Sequence, residues 1–150
     1  MMYFDDFTVG AAFTSPGRTV TEADVVLFAG LTGDYNDIHM NVEAAKQRAF
    51  GERIAHGLLV LSLTRGLLFR SRITGTDAER AFLGLPDVTF KHPVKLGDTI
   101  HIKATVEALH EESANDGKVL LRCEAVNQEG KVTQESRFLL LMDKRTRATG

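Results

Sequence analysis

Residues 58–69 read Leu-Leu-Val-Leu-Ser-Leu-Thr-Arg-Gly-Leu-Leu-Phe. Wound into a helix, this run leaves almost no polar face, and a helix of that kind is stable only where other elements enclose it. It is too short to cross a bilayer, which takes about 20 apolar residues, and Arg65 and Arg70 interrupt and bound it. The chain must therefore build a cover, and its second half supplies one. Ile100, Ile102, Ala104, Val106 and Ala108 alternate with Thr99, His101, Lys103, Thr105 and Glu107, the period of a half-buried strand. Val119, Leu121, Cys123 and Ala125 repeat the pattern, and residues 132–142 follow. Asn115-Asp116-Gly117 and Glu129-Gly130 are hairpin turn signals between these runs. A fourth strand is expected over 82–91, with Gly97-Asp98 as the turn out of it, while 71–81 reads as a loop. The expected class is α+β: an antiparallel sheet wrapped around one buried helix, in a single domain of residues 1–150.

Two shorter helices are expected earlier. Thr21-Glu22-Ala23-Asp24 resembles a capping box, with Asp24 where Glu or Gln usually stands. An apolar run follows from Val25 to Leu31, and Gly33 is the terminator. A second helix is expected over 42–49, ended by Phe50-Gly51. Between them lies Thr-Gly-Asp-Tyr-Asn-Asp-Ile-His-Met-Asn, residues 32–41, read as a loop. It delivers Asp34 at a helix end with His39 five positions on.

Bulk properties narrow the partners. Eighteen basic and twenty acidic residues leave a formal charge of -2, and no basic stripe of the kind nucleic-acid binding needs is visible. No membrane partner is expected. The N-terminus carries Asp5 and Asp6 and lacks the pattern of a signal peptide. With one cysteine, Cys123, no internal disulfide forms, and a cytoplasmic location is the expectation. Cys123 lies in an alternating run and reads as a buried structural thiol.

The residues that can do chemistry are few. Asp34 and His39 can hold a water between a carboxylate and an imidazole and move its proton; the plainer reading is a turn with a capping Asp and an exposed His. His56-Gly57 opens the long helix, where N–H groups have no intrahelical partner and the dipole favours negative charge. Such N–H groups can hold a thioester oxygen as it becomes an enolate; the plainer reading is a tight turn with a capping His. A carboxylate, an imidazole and a free helix start form the set that water addition to an acyl thioester, or its removal, requires. His92, His101 and His110 lack ligand spacing, and no His-Glu-x-x-His or paired-cysteine pattern is present, so no metal is expected.

The stretch Gly-Asp-Tyr-Asn-Asp-Ile-His-Met-Asn, followed by Arg-Ile-Ala-His-Gly-Leu-Leu, resembles the hydratase-2 motif of the MaoC-like dehydratases, the (R)-specific enoyl-CoA hydratases. Residues 90–99, Phe-Lys-His-Pro-Val-Lys-Leu-Gly-Asp-Thr, are also similar to that family, and the resemblance runs from about residue 4 to 142. It implies the hot-dog fold, a curved antiparallel sheet around a long central helix, in agreement with the pattern argument. It implies Asp34 and His39 as the catalytic pair, Gly57 as the oxyanion-binding amide and Asn36 as the residue shaping the loop. It also implies a homodimer or higher homo-oligomer, an acyl-CoA thioester as partner, and no cofactor beyond the CoA of the substrate. His56, Ser62 and Arg65 complete the expected substrate-binding set.

Two departures stand out. Asp37 occupies a position where the family has proline, which removes a stiffener and adds a carboxylate. Arg65 stands where hydratases of short-chain substrates carry serine, with Ser62 one turn earlier as a partial substitute. Arg65 either meets an acidic acyl group or a CoA phosphate, or, more conservatively, pairs with a carboxylate or reaches the surface. Arg65 and Arg72, seven apart and expected on one helix face, leave a dicarboxylic acyl group open. Two other functions are compatible with the pattern: a hot-dog acyl-CoA thioesterase, sending water to C1 instead of C3, and a non-catalytic acyl-CoA-binding module.

Overall fold

The computed structural model describes residues 2–75 and 77–145. Its helices are α1 (Glu22–Thr32), α2 (Asp37–Met40), α3 (Val42–Lys46) and α4 (Gly57–Arg70), and its strands are β1 (Ala12–Thr14), β2 (Arg18–Thr19), β3 (Glu79–Gly84), β4 (Val88–Phe90), β5 (Thr99–Glu111), β6 (Asp116–Val126) and β7 (Val132–Asp143). A single 3-10 turn, Phe4–Asp6, precedes them.

The three long strands carry the architecture. The sheet runs β1-β5-β6-β7-β3, with β2 paired to β5 and β4 to β7, and every pairing is antiparallel. Ala104 faces Cys123 across β5 and β6, and Cys123 faces Ser136 across β6 and β7, so their side chains share the face toward α4. The inward rows are those the alternation assigns: Ile100, Ile102, Ala104 and Val106, then Val119, Leu121, Cys123 and Ala125, then Phe138, Leu140 and Met142, all buried. Leu59, Val60, Leu63, Leu67 and Leu68 of α4 pack against them. Each fully buried side chain of this size stabilises the fold by about 1.5–3 kcal/mol relative to exposure. This is the hot-dog layout. Burial pushes the Cys123 thiol up to about 12, against a smaller opposing pull from the Arg65 guanidinium. The thiol is therefore protonated at neutral pH and unsuited to attack.

Four expectations need correction. The central helix is enclosed on one side only: Leu58 is 59% and Phe69 58% exposed, and Ser62 and Gly66 are exposed beside them. The sheet covers one face, and among the described residues no second sheet covers the other. The strand expected over 82–91 is two strands, because Pro86 has no N–H to give the ladder; β3 and β4 both pair with β7 around the break. The turn between β5 and β6 lies before Asp116, where the Ser113 hydroxyl donates to the Asp116 carboxylate at 2.7 Å, and Gly117 is already in the strand. The second short helix ends at Lys46 rather than 49.

Helix α1 starts and stops where the sequence directs. Asp24 N–H donates to the Thr21 hydroxyl at 3.3 Å, and Thr21 N–H donates to the Asp24 carboxylate at 2.9 Å. Gly33 closes the helix at φ 78°, a left-handed conformation costly for other residues. Burial acts to raise the Asp24 pKa, but the bonds from Thr21 and the Arg18 guanidinium outweigh it and hold the carboxyl below the usual range. A depressed folded-state pKa stabilises the fold above the unfolded value of about 3.9. That contribution is expected to vanish as pH falls through the lower folded value. Urea titrations at a series of pH values should show an acid slope that Asp24→Asn makes shallower.

Candidate active site

The site is built where three chain segments meet: the turn after α1, the one-turn helix α2, and the entry to α4. Gly33 reverses the chain, and Asp34 follows at once. Asn36 caps α2 by accepting the Ile38 N–H at 3.1 Å. His39 therefore sits on a short helix rather than in an open loop, a feature masked by the Asn and Asp turn signals around it. Asp37 takes the first position of that helix, where proline is also favoured and where a carboxylate suits the dipole. Its side chain accepts from the Asn41 amide at 3.4 Å, so the departure from proline keeps the turn ordered by another route.

A ladder of four bonds fixes α2 to the segment that enters α4. Ile54 N–H donates to the Ile38 carbonyl at 3.2 Å. His39 Nδ1 bonds the Ile54 carbonyl at 2.8 Å, and His56 Nε2 bonds the Asp34 carbonyl at 2.9 Å. Arg53 Nε donates to the His39 carbonyl at 2.5 Å, while its other nitrogen meets both Glu22 carboxylate oxygens at 2.9 and 3.0 Å. Arg53 thereby ties the histidine's backbone to α1. Arg53 opens the second motif, but local pattern assigns it no role, because its partners lie 14 and 31 residues away. A carbonyl only accepts, so Nδ1 of His39 carries its proton and Nε2 keeps a lone pair.

The functional atoms are close. Asp34, His39 and His56 each place a side-chain oxygen or nitrogen within 4.8 Å of the others. A metal ion would need the two imidazole lone pairs aimed at one point about 2.0–2.1 Å away. The rings instead lie face to face, centroids 3.8 Å apart and 28° from parallel. In-plane lone pairs of stacked rings do not converge, so the set suits proton handling better than an ion.

A cleft of about 410 Å³ opens beside this group, lined by His39, Gly57, Leu58, Val60, Ile54 and Phe50 on one wall and by Phe90, Pro93, Val94, Thr133 and Gln134 on the other. That size falls within the usual range for small-molecule sites. Gly57 is the first residue of α4, and the first bond of that helix is Val60 N–H to the His56 carbonyl at 3.2 Å. The Gly57 N–H thus precedes the ladder and is free to serve the cleft. A Cβ at Gly57 would come within 2.8 Å of the Phe90 ring, so only glycine lets the two walls approach this closely. The Gln134 amide, buried in the far wall, is a polar group in apolar surroundings that the alternating pattern does not disclose.

Three expected site residues are elsewhere. Ser62 is exposed and gives its hydroxyl to the Leu58 carbonyl at 2.8 Å. Arg65 pairs with the Glu79 carboxylate and the Thr74 hydroxyl and lies over the Phe82 ring, the conservative of its two readings. Neither lines the cleft. Arg72 is beyond the end of α4 with φ 57°, so it does not share a helix face with Arg65. Asp34, Asn36 and His56 are brought to the site but not to the cleft wall.

A profile of the MaoC like domain matches residues 6–128. The protein MaoC of Klebsiella aerogenes is 37% identical over 117 residues, which is 76% of this chain and 34% of that protein, so the chain spans about a third of that relative's length. An (R)-specific enoyl-CoA hydratase of Rhodospirillum rubrum is 37% identical over 107 residues, 71% of each protein. Among solved structures, a monoamine oxidase regulatory protein of Archaeoglobus superposes with a TM-score of 0.90 at 35% identity, covering 97% of this chain and 96% of that one.

Proposed function

Because the chain belongs to the MaoC-like dehydratase family, we propose that it is a hydro-lyase that adds water to 2-enoyl-CoA thioesters, or removes it from (R)-3-hydroxyacyl-CoA. The observation that carries this reading is His39, which lines an apolar cleft together with Gly57 and lies with a ring nitrogen within 4.8 Å of the Asp34 carboxylate, itself outside the cleft lining. The acyl group lies in the cleft with its thioester oxygen toward the Gly57 N–H. Asp34 and His39 hold a water over C3, and Asp34 takes one of its protons. The C3–O bond forms as the C2=C3 π electrons move onto the thioester oxygen as an enolate. The same pair then returns a proton to C2, so the sum is one water added and no electrons exchanged. A redox-neutral step of this kind needs no cofactor besides the CoA of the substrate. Attack from a water fixed on one face of the double bond gives one enantiomer, which fits the (R)-specific naming of the Rhodospirillum rubrum relative.

The proposal includes a homodimer. Leu58 and Phe69 on the uncovered face of α4, with Phe82, Leu83 and Phe90 of the adjacent strands, are large apolar side chains left exposed, and such surfaces mark association sites. It also includes a cytoplasmic location, which the single free thiol supports. Among the described residues no helix is long and apolar enough to cross a membrane.

Crotonyl-CoA separates this reading from hydrolysis. The protein should abolish the enoyl absorbance, yield (R)-3-hydroxybutyryl-CoA and release no free thiol, while sedimenting as twice the chain mass. Thiol release with the enoyl group intact would replace the reading with a thioesterase.

A further inference from the structure

His56 contributes no atom to the cleft wall, yet it touches every part of the machinery. Its side chain is 2% exposed. Nε2 donates to the Asp34 carbonyl at 2.9 Å. One ring face stacks on His39 at 3.8 Å, and the Phe28 ring leans on it at 5.0 Å. Its own carbonyl accepts the Val60 N–H, the first bond of α4, so its backbone sets the place where the Gly57 N–H emerges.

A purely structural residue would be cheaper. Nδ1 of His56 is buried without a hydrogen-bond partner, a cost that an apolar ring would avoid. The stack alone needs no nitrogen. What only the imidazole supplies here is a flat ring that also donates to the Asp34 carbonyl.

We infer that His56 is a positioning residue that holds the Asp34 turn by its Nε2–H and aims the His39 ring by stacking beneath it. This inference rests on the hydratase reading of the same site. The hydrogen bond fixes the Asp34 backbone beside the two rings. The stack limits rotation of the His39 ring, whose other restraint is the Nδ1 bond to Ile54, so Nε2 stays directed at the held water. Misplacement of about 1 Å in such groups is enough for a 10²-fold loss of rate.

Two variants separate the two jobs. His56→Phe keeps a stacked ring, in a larger side chain, but loses the donor; His56→Gln keeps a donor of similar reach but loses the ring. With crotonyl-CoA, well below each variant's Tm, each should lower kcat by about 10- to 100-fold, with KM within about 3-fold of the parent. A residue that merely fills the core would instead lower Tm without this kcat-against-KM split. Parental kcat in either folded variant would overturn the job assigned to the group it lacks, and parental kcat in both would overturn the inference. If His56→Phe fails to fold, the inference is overturned in favour of a structural role unless His56→Gln folds and shows the split. The parent and Asp34→Asn are measured alongside: a parent that leaves crotonyl-CoA unhydrated fails the hydratase reading itself, whereas an active parent and an inactive Asp34→Asn beside fully active His56 variants refute only this inference.

Discussion

Asp34→Asn is expected to lower kcat for crotonyl-CoA hydration by about 10²- to 10⁴-fold, the range for loss of a positioned proton acceptor. The substitution keeps size and hydrogen-bonding capacity but removes the basic oxygen. The fold should survive, because two bonds that hold the turn use the Asp34 backbone, its N–H donating to the Thr32 hydroxyl at 3.2 Å and its carbonyl accepting from His56 at 2.9 Å, and the third, from the Asn36 N–H to the Asp34 carboxylate at 3.3 Å, can be accepted by the amide oxygen of Asn. Acyl-CoA affinity, carried by the apolar cleft and the Gly57 N–H, should change little. Steady-state kinetics with a parallel thermal melt checks both parts. A variant as active as the parent would remove Asp34 from the chemistry.

Gly57→Pro should cost about 10²- to 10³-fold in kcat, the loss seen when one oxyanion donor is removed. The design uses the local geometry. Proline is at home in the first position of a helix, where its missing N–H is not needed by the ladder. The preceding residue must be extended, and His56 already is, at φ -60° and ψ 136°. The helix therefore tolerates the change while the cleft loses its donor. Added atoms would press on the Phe90 ring, so the comparison is made in a Phe90→Ala background, with Gly57→Ala as the control that crowds the wall but keeps the N–H. Equal rates for the proline and alanine variants would show that this amide does not carry the developing charge.

The sequence disclosed what depends on period and on local chemistry. The strands of the long hairpins and the capping of α1 are written in residues that lie side by side, as in Ile100 to Val106 or Thr21 with Asp24. The motif from Gly33 to Asn41 named Asp34 and His39 in the same way. What was not legible depends on distant partners. Arg53 gains its role only when Glu22 and the His39 carbonyl arrive beside it. Gln134 alternates like any strand residue until the wall it lines is closed by α4. The role read for His56 as a substrate contact misses because spacing shows that a residue is near a site, not which way its ring faces. Arg65 found Glu79, which opens β3 within a segment read as loop, and Arg72 left the helix face because the helix stops two residues before it. Each miss is a case of tertiary contact overriding a locally reasonable pattern.

The central claim is that a carboxylate, an imidazole and a free amide act together on one bound thioester. A crystal structure of the Asp34→Asn variant with crotonyl-CoA tests it directly. The account predicts the thioester oxygen about 2.7–3.1 Å from the Gly57 N, with C3 facing His39 Nε2 and the residue 34 side chain. An acyl group seated in the cleft with C1 rather than C3 over that pair, or bound away from Gly57 altogether, would contradict it.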